Sequence, residues 1–345
     1  MKPEVPVRIG LIGLGVMGDL YARIYEAHPL ASLVAVSSRR PAKIAEYEGR
    51  FAVKGYLDYR EMIDREQLDA VVIATPDDTH FEPAKRALLA GRHVLIEKPL
   101  TTTVAEADEL VRLAAKNRLK IQVTFNHRWL SPYHQAKKSV ASGEIGVPLS
   151  GFARKNDTIY VPTEMISWAG KTTPAWFLSS HDIDLMRWIF ASEPVEARAW
   201  GRQEVLKARG IPTYDLIQAQ VRFANGAIAT FESGWIYPNT FPTIVDSFVE
   251  VIGTEGHIHL DRKRESMEMS TPKAFTYPKN FITQEIFGRL RGSFPSCLED
   301  FLYAIIQDTE PQVSGYDGRQ VTATLEAIHQ SLASDTTVQV APFIP

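Results

Sequence analysis

Three glycines near the start of the chain, Gly13, Gly15 and Gly18, have the G-x-G-x-x-G spacing of a turn that cradles phosphate. They follow an apolar, strand-like run over residues 7–12 and precede a stretch, residues 19–27, that reads as a helix. Gly13 allows the tight turn, Gly15 lets a pyrophosphate approach the backbone, and Gly18 lets the helix pack close to the sheet. With Val16 and Met17 they form a candidate phosphate site, to which a helix N-terminus adds free N–H groups and partial positive charge. A second strand, residues 33–36, runs into Ser38-Arg39-Arg40, about 20 positions beyond the last glycine. An acidic residue there accepts hydrogen bonds from the adenosine ribose of NAD. A hydroxyl and two guanidinium groups suit a 2′-phosphate instead. The residues therefore point to NADP(H) over NAD(H). The alternative is NAD, with both arginines solvated charges at a helix start.

Lys98 is the other residue placed for chemistry. It lies just beyond the apolar strand 94–96 and beside Glu97. Strands 7–12, 33–36, 53–56, 70–74, 94–96 and 121–125 alternate with helical stretches, so residues 1–125 read as a doubly wound parallel sheet. Helix starts are signalled by capping patterns at Asp58/Glu61, Thr79/Glu82 and Thr103/Glu106. Ligands bind such sheets at the carboxyl ends of the strands. That edge collects the glycine turn, Ser38 to Arg40, Thr75, Pro76 and His80, Glu97 and Lys98, and Asn126. A lysine there can polarise or protonate a hydroxyl or carbonyl oxygen. Its plainer role is a salt bridge at a strand end.

These motifs, with Ala74-Thr-Pro76…His80, Glu97-Lys98-Pro99, Asn126-His-Arg128 and Ser142-Gly-Glu-Ile-Gly146, resemble the Gfo/Idh/MocA family of oxidoreductases along essentially the whole chain. The resemblance implies an N-terminal Rossmann domain, residues 1–125. It also implies a C-terminal α/β domain, residues 126–345, with a large open, mainly antiparallel sheet. The activity implied is hydride transfer between nicotinamide and a sugar, polyol or cyclitol carbon, with Lys98 touching both cofactor and substrate. His181 matches the family histidine that exchanges the substrate proton. Without that context, a histidine on an amphipathic helix is more often structural.

Four residues before His181 the family pattern has aspartate, and this chain has Phe177. Phenylalanine neither accepts a proton nor hydrogen-bonds a hydroxyl, so Lys98 and His181 suffice, another group substitutes, or the chain is an NADP(H)-binding sensor without turnover. Tyr160, Asp182 and Asp184 are the nearby candidates, Asp184 falling where the family residue is structural. Trp168, Trp176 and Phe177 give either aromatic faces for a sugar ring or plain core.

The second half of the chain has closely spaced strands, with hairpins at Ala224-Asn-Gly226 and Gly253-Thr-Glu-Gly256. An open sheet face carrying Phe231, Trp235 and Ile252 is expected to bury itself against another subunit, as a homodimer or homotetramer; the alternative is cover by a helix of the same domain. The 345 residues carry a net charge of -3, which draws the chain to neither nucleic acid nor anionic membrane. No run of about 18 apolar residues spans a membrane, and the N-terminus has no secretory pattern, so a cytoplasmic location is expected. The single cysteine, Cys297, excludes an intrachain disulfide and reads as a buried small residue. No metal site is expected.

Overall fold

The computed structural model describes residues 6–344. Its chain forms two compact units, one of residues 6–126 with 283–319 and one of residues 127–282 with 320–344.

The first unit is built on β1 (Val7–Ile12), α1 (Val16–Glu26), β2 (Ala31–Ser37), α2 (Pro41–Arg50), β3 (Lys54–Tyr56), α3 (Tyr59–Arg65), β4 (Ala70–Ile73), α4 (Phe81–Leu89), β5 (His93–Ile96), α5 (Val104–Asn117) and β6 (Ile121–Val123). The six strands are parallel in the order β3-β2-β1-β4-β5-β6, the doubly wound order that reverses between β1 and β4. All four residues of β4 are buried, as a parallel strand covered on both faces requires. Helices α3, α4 and α5 pack side by side, and α1 packs with the helix Ser293–Ile306. Cys297 of that helix is fully buried, its carbonyl accepting a bond from Gln122 of β6.

Caps follow the sequence at two of three helices. Asp58 accepts from the Arg60 N–H and Thr103 from the Glu106 N–H. The Thr79 pattern is corrected: its hydroxyl donates back to Pro76 O, and α4 starts after His80 with no side-chain cap. A short 3₁₀ turn, Asp77–Thr79, occupies the position where that cap would form.

The second unit contains α6 (Ser131–Ala141), β7 (Pro148–Thr158), α7 (Ser180–Phe190), β8 (Pro194–Arg202), β9 (Leu216–Phe223), β10 (Ile228–Tyr237), β11 (Val245–Gly253) and β12 (His257–Asp261). Its seven-stranded sheet runs β12-β11-β7-β10-β9-β8, with the short strand Val338–Gln339 at the edge. Only β7 and β10 pair in parallel. Helix α7 lies on β7, where a side chain at Gly151 would meet Met186 and Phe190. Phe231 and Trp235 do not lie on an open face. They are 1% and 0% exposed on the side of β10 that meets the turn Ala175–Ser179 and α7, Trp235 lying against Phe177, so cover within the same domain is what holds for these two; the outward positions of β10 are Ile228, Thr230 and Glu232. Ile252 does face outward, at 39% exposure.

Candidate active site

In the first unit, four backbone bonds continue the sheet past its strand ends and set the loops in a row. Gly13 N donates to Ser37 O, Ala74 N to Ile12 O, Glu97 N to Ile73 O, and Thr124 N to Ile96 O. The glycine turn, Ser38, Thr75, Lys98 and Asn126 thus share one edge. The glycines divide by role. Gly13 has φ +94°, and a side chain there would strike the Ala74 carbonyl; one at Gly18 would strike the Gly13 carbonyl. Gly15, the N-cap of α1, faces open space instead, with Val16 beside it 74% exposed. Gly18 and Gly13 therefore shape the turn, while Gly15 leaves bare backbone at a helix N-terminus. That arrangement fits a dinucleotide pyrophosphate.

A contrast between two variants follows. Gly15→Ala, extended at φ -88° and meeting no atom, will keep thermal stability within about 0.5 kcal/mol yet weaken dinucleotide binding. Gly18→Ala will cost about 1–3 kcal/mol because backbone must move. Paired melting curves and fluorescence titrations check both.

Ser38 and Arg40 form a small turn in which the Ser38 hydroxyl accepts from Arg40 N, and the Arg40 guanidinium reaches the Leu14 carbonyl of the glycine turn at 3.5 Å. Arg39 and Arg40 are exposed. His80 is 1% exposed and stands between two loops, its ring nitrogens 2.9 Å from Thr75 O and 2.7 Å from Pro99 O. It therefore braces the loop that carries Lys98. Glu97 is likewise buried. Its carboxylate accepts from the Lys98 N–H at 3.1 Å and from the Tyr21 hydroxyl. Burial and that carboxylate hold the Tyr21 phenol protonated well above its ordinary range. Asn126 donates to Ser293 at 2.7 Å. Lys98 itself is half-buried at the end of this braced segment.

In the second unit, the turn Ala175–Ser179 is π-helical and passes directly into α7; single π turns are frequent at functional sites. His181 is half-buried on the first turn of α7, and the His127 ring stacks on it, centroids 4.3 Å apart and planes 18° from parallel. Phe177 is half-buried in an apolar cluster of Val161, Leu206 and Trp235 with Ile159, Ile166, Ile211 and Ile236, and lies edge-on to Trp168 at 5.9 Å. A carboxylate in this surrounding would lose its hydration without a partner, which explains the aromatic residue. Trp176 turns the other way, 8% exposed and stacked on His329. Tyr160 is 39% exposed, with its backbone N–H bonded to Asn239.

The two aspartates of α7 are spoken for. Asp184, fully buried, takes a two-pronged bond from Arg128 at 2.9 and 2.6 Å. Asp182, 1% exposed, accepts from Lys155 of β7 at 2.6 Å. Burial lowers Lys155 to about 8 and raises Asp182. Sequence reasoning missed Lys155 and did not single out His127. The one signal for Lys155 is the polar run Lys155-Asn-Asp-Thr158 ending a strand, four residues that are all buried where alternation would expose two.

An open glycine turn at a helix N-terminus, at the carboxyl edge of a doubly wound parallel sheet, is the arrangement of a dinucleotide-binding fold. The sequence matches the family described as oxidoreductase family, NAD-binding Rossmann fold, over residues 7–125, and its C-terminal alpha/beta domain over residues 137–340. The chain belongs to this Gfo/Idh/MocA oxidoreductase family. Similar curated proteins include a myo-inositol 2-dehydrogenase of Thermotoga maritima, 28% identical over 98% of this chain and 100% of the relative. A 1,5-anhydro-D-fructose reductase of Ensifer adhaerens is 30% identical over 90% and 91%. A crystal structure of myo-inositol 2-dehydrogenase from Lactobacillus plantarum superposes with a TM-score of 0.85 at 25% identity, covering 97% of this chain and 100% of that one. No helix among the described residues is long and apolar enough to cross a membrane.

Proposed function

We propose that this protein oxidises or reduces a CH–OH carbon of a cyclitol, sugar or polyol with a nicotinamide dinucleotide, NADP(H) preferred. The observation that carries the reading is Lys98. It is a cation held at the same strand edge as the open Gly15 backbone, on a segment braced by Glu97, Tyr21 and His80. The relatives named above support the substrate class.

Residues 1–125 hold the dinucleotide. Gly13, Gly15, Val16, Met17 and Gly18 take the pyrophosphate, and Ser38, Arg39 and Arg40 take a 2′-phosphate. Thr75, Pro76, Glu97 and Asn126 line the same edge. When bound, the nicotinamide is the hydride acceptor or donor. Lys98 polarises the reacting oxygen. His181 takes the hydroxyl proton as the carbonyl forms, and returns it in reduction. The second unit supplies the substrate side, where Tyr160, Trp168 and Phe177 offer ring faces to a sugar ring. Trp176, stacked on His329, serves the core. Copies of the chain pair through the outward face of the second sheet, where Ile228 and Ile252 are exposed.

NADPH will bind at least tenfold more tightly than NADH, a difference of about 1.4 kcal/mol. Fluorescence titration with each cofactor checks this, and equal binding sinks the phosphate reading of Ser38 to Arg40. A panel of inositols, anhydro sugars, aldoses and polyols, followed by reduced-nicotinamide absorbance, tests the reaction. Absence of turnover on every member, with the dinucleotide bound, sinks the CH–OH reading.

A further inference from the structure

Around the stacked histidines lies a buried cluster of charge that the proposed reaction does not use. His127 is 4% exposed. Its Nδ1 is 3.5 Å from Lys155 Nζ, and its Nε2 is 3.5 Å from an Arg262 nitrogen. Each cation is itself fixed. Lys155 is held by Asp182 at 2.6 Å, and Arg262 by Glu265 at 3.4 Å. Glu265 in turn accepts from the Asn280 and Phe281 N–H groups. Tyr133 of α6 tilts against the His127 ring, and Lys279 donates to the Arg262 and Lys263 carbonyls. The charged and titratable groups around the stack include Tyr133, Lys155, Asp157, Asp182, Arg262, Glu265 and Lys279, from α6, β7, α7 and the loops after β12.

We propose that His127 is a positioning residue for His181, an uncharged imidazole that accepts a hydrogen bond from one of its two neighbouring cations and whose face orients the His181 ring and stabilises it when it carries a proton. The inference rests on the proton-exchange role proposed for His181. Burial disfavours the charged form of His127, and both of its ring nitrogens face donor-only groups, Lys155 and Arg262, so that ring stays neutral. A neutral aromatic face attracts a cation stacked on it, and the imidazolium formed on His181 is such a cation. Packing against Tyr133 and the contact with the adjacent cation hold the plane that His181 packs against.

Ring-nitrogen NMR of the full chain labelled in histidine tests this, with His181 assigned by His181→Gln. In the wild type, His127 will stay neutral down to about pH 5 while His181 titrates. A His127 that titrates at an ordinary midpoint overturns the proposal, with no variant needed. In His127→Leu the His181 midpoint will fall by about half a pH unit, a roughly threefold loss of proton affinity. The value of kcat will fall with KM little changed. His127→Phe, which restores a ring face, will recover both. A folded His127→Leu protein with an unmoved His181 midpoint also overturns it. If His181→Gln keeps full turnover, the proton-exchange role fails separately, and the ring titrations still decide whether His127 governs His181.

Discussion

Replacing Lys98 by alanine will lower kcat by about 10²–10⁴-fold, the range for removing a positioned acid–base or polarising group, while dinucleotide affinity changes by less than about threefold. The separation is expected because the segment is held by groups other than the lysine side chain. Its backbone N–H is fixed by Glu97, Glu97 is fixed by Tyr21, and Pro99 O is fixed by His80. Truncation at Cβ therefore removes the cation and leaves the loop in place. Lys98→Arg will recover only part of the rate, since a planar guanidinium does not put its charge where an ammonium sits. His181→Ala will also lose rate, by a comparable factor where the proton transfer limits turnover. Steady-state kinetics and a cofactor titration on each variant check this. Full turnover in both alanine variants would leave the proposed mechanism without its two working groups.

How much of this was legible in the sequence follows from how local each feature is. The glycine turn, the buried β4 run and the Thr103 cap are set by neighbours within a few residues, and each was readable. The Thr79 cap was not, because the pattern competes with a 3₁₀ turn that takes the same hydroxyl. The sequence left cover of β10 by another subunit beside cover within the domain, because alternation gives two faces without saying which is covered, and for Phe231 and Trp235 the second holds. That depends on the turn Ala175–Ser179, more than fifty residues earlier. The stack of His127 on His181 and the Lys155–Asp182 pair join a turn, a strand and a helix that only the tertiary fold brings together. No spacing rule in one dimension marks them. The resemblance supplied His181 through its position, but it gave no account of Phe177, whose apolar surroundings come from β10 and the segments around Ile159, Ile166 and Ile211.

The second large effect is on stability. Lys155→Met will destabilise the folded chain by about 3–5 kcal/mol, because it leaves Asp182 as a buried charge with its partner gone. Already in the paired state, Asp182 Oδ2 makes no hydrogen bond among the described residues. The double variant Lys155→Met/Asp182→Leu will regain most of that loss, since an apolar pair of similar volume avoids the desolvation of both ions. The pH dependence has a definite sign. Burial lowers folded Lys155 from 10.5 to about 8. Between those values the unfolded chain holds a proton that the folded chain has released, so wild-type stability gains with rising pH in that window. Asp182, raised by burial, acts at the acid end in the opposite sense. Lys155→Met lacks the lysine contribution, whereas Lys279, also lowered to about 8, is present in both proteins and cancels. The stability gap between wild type and Lys155→Met will therefore widen from pH 8 upward. Denaturant unfolding at a series of pH values measures it. A gap that stays flat or narrows means the lysine is not desolvated in the folded chain.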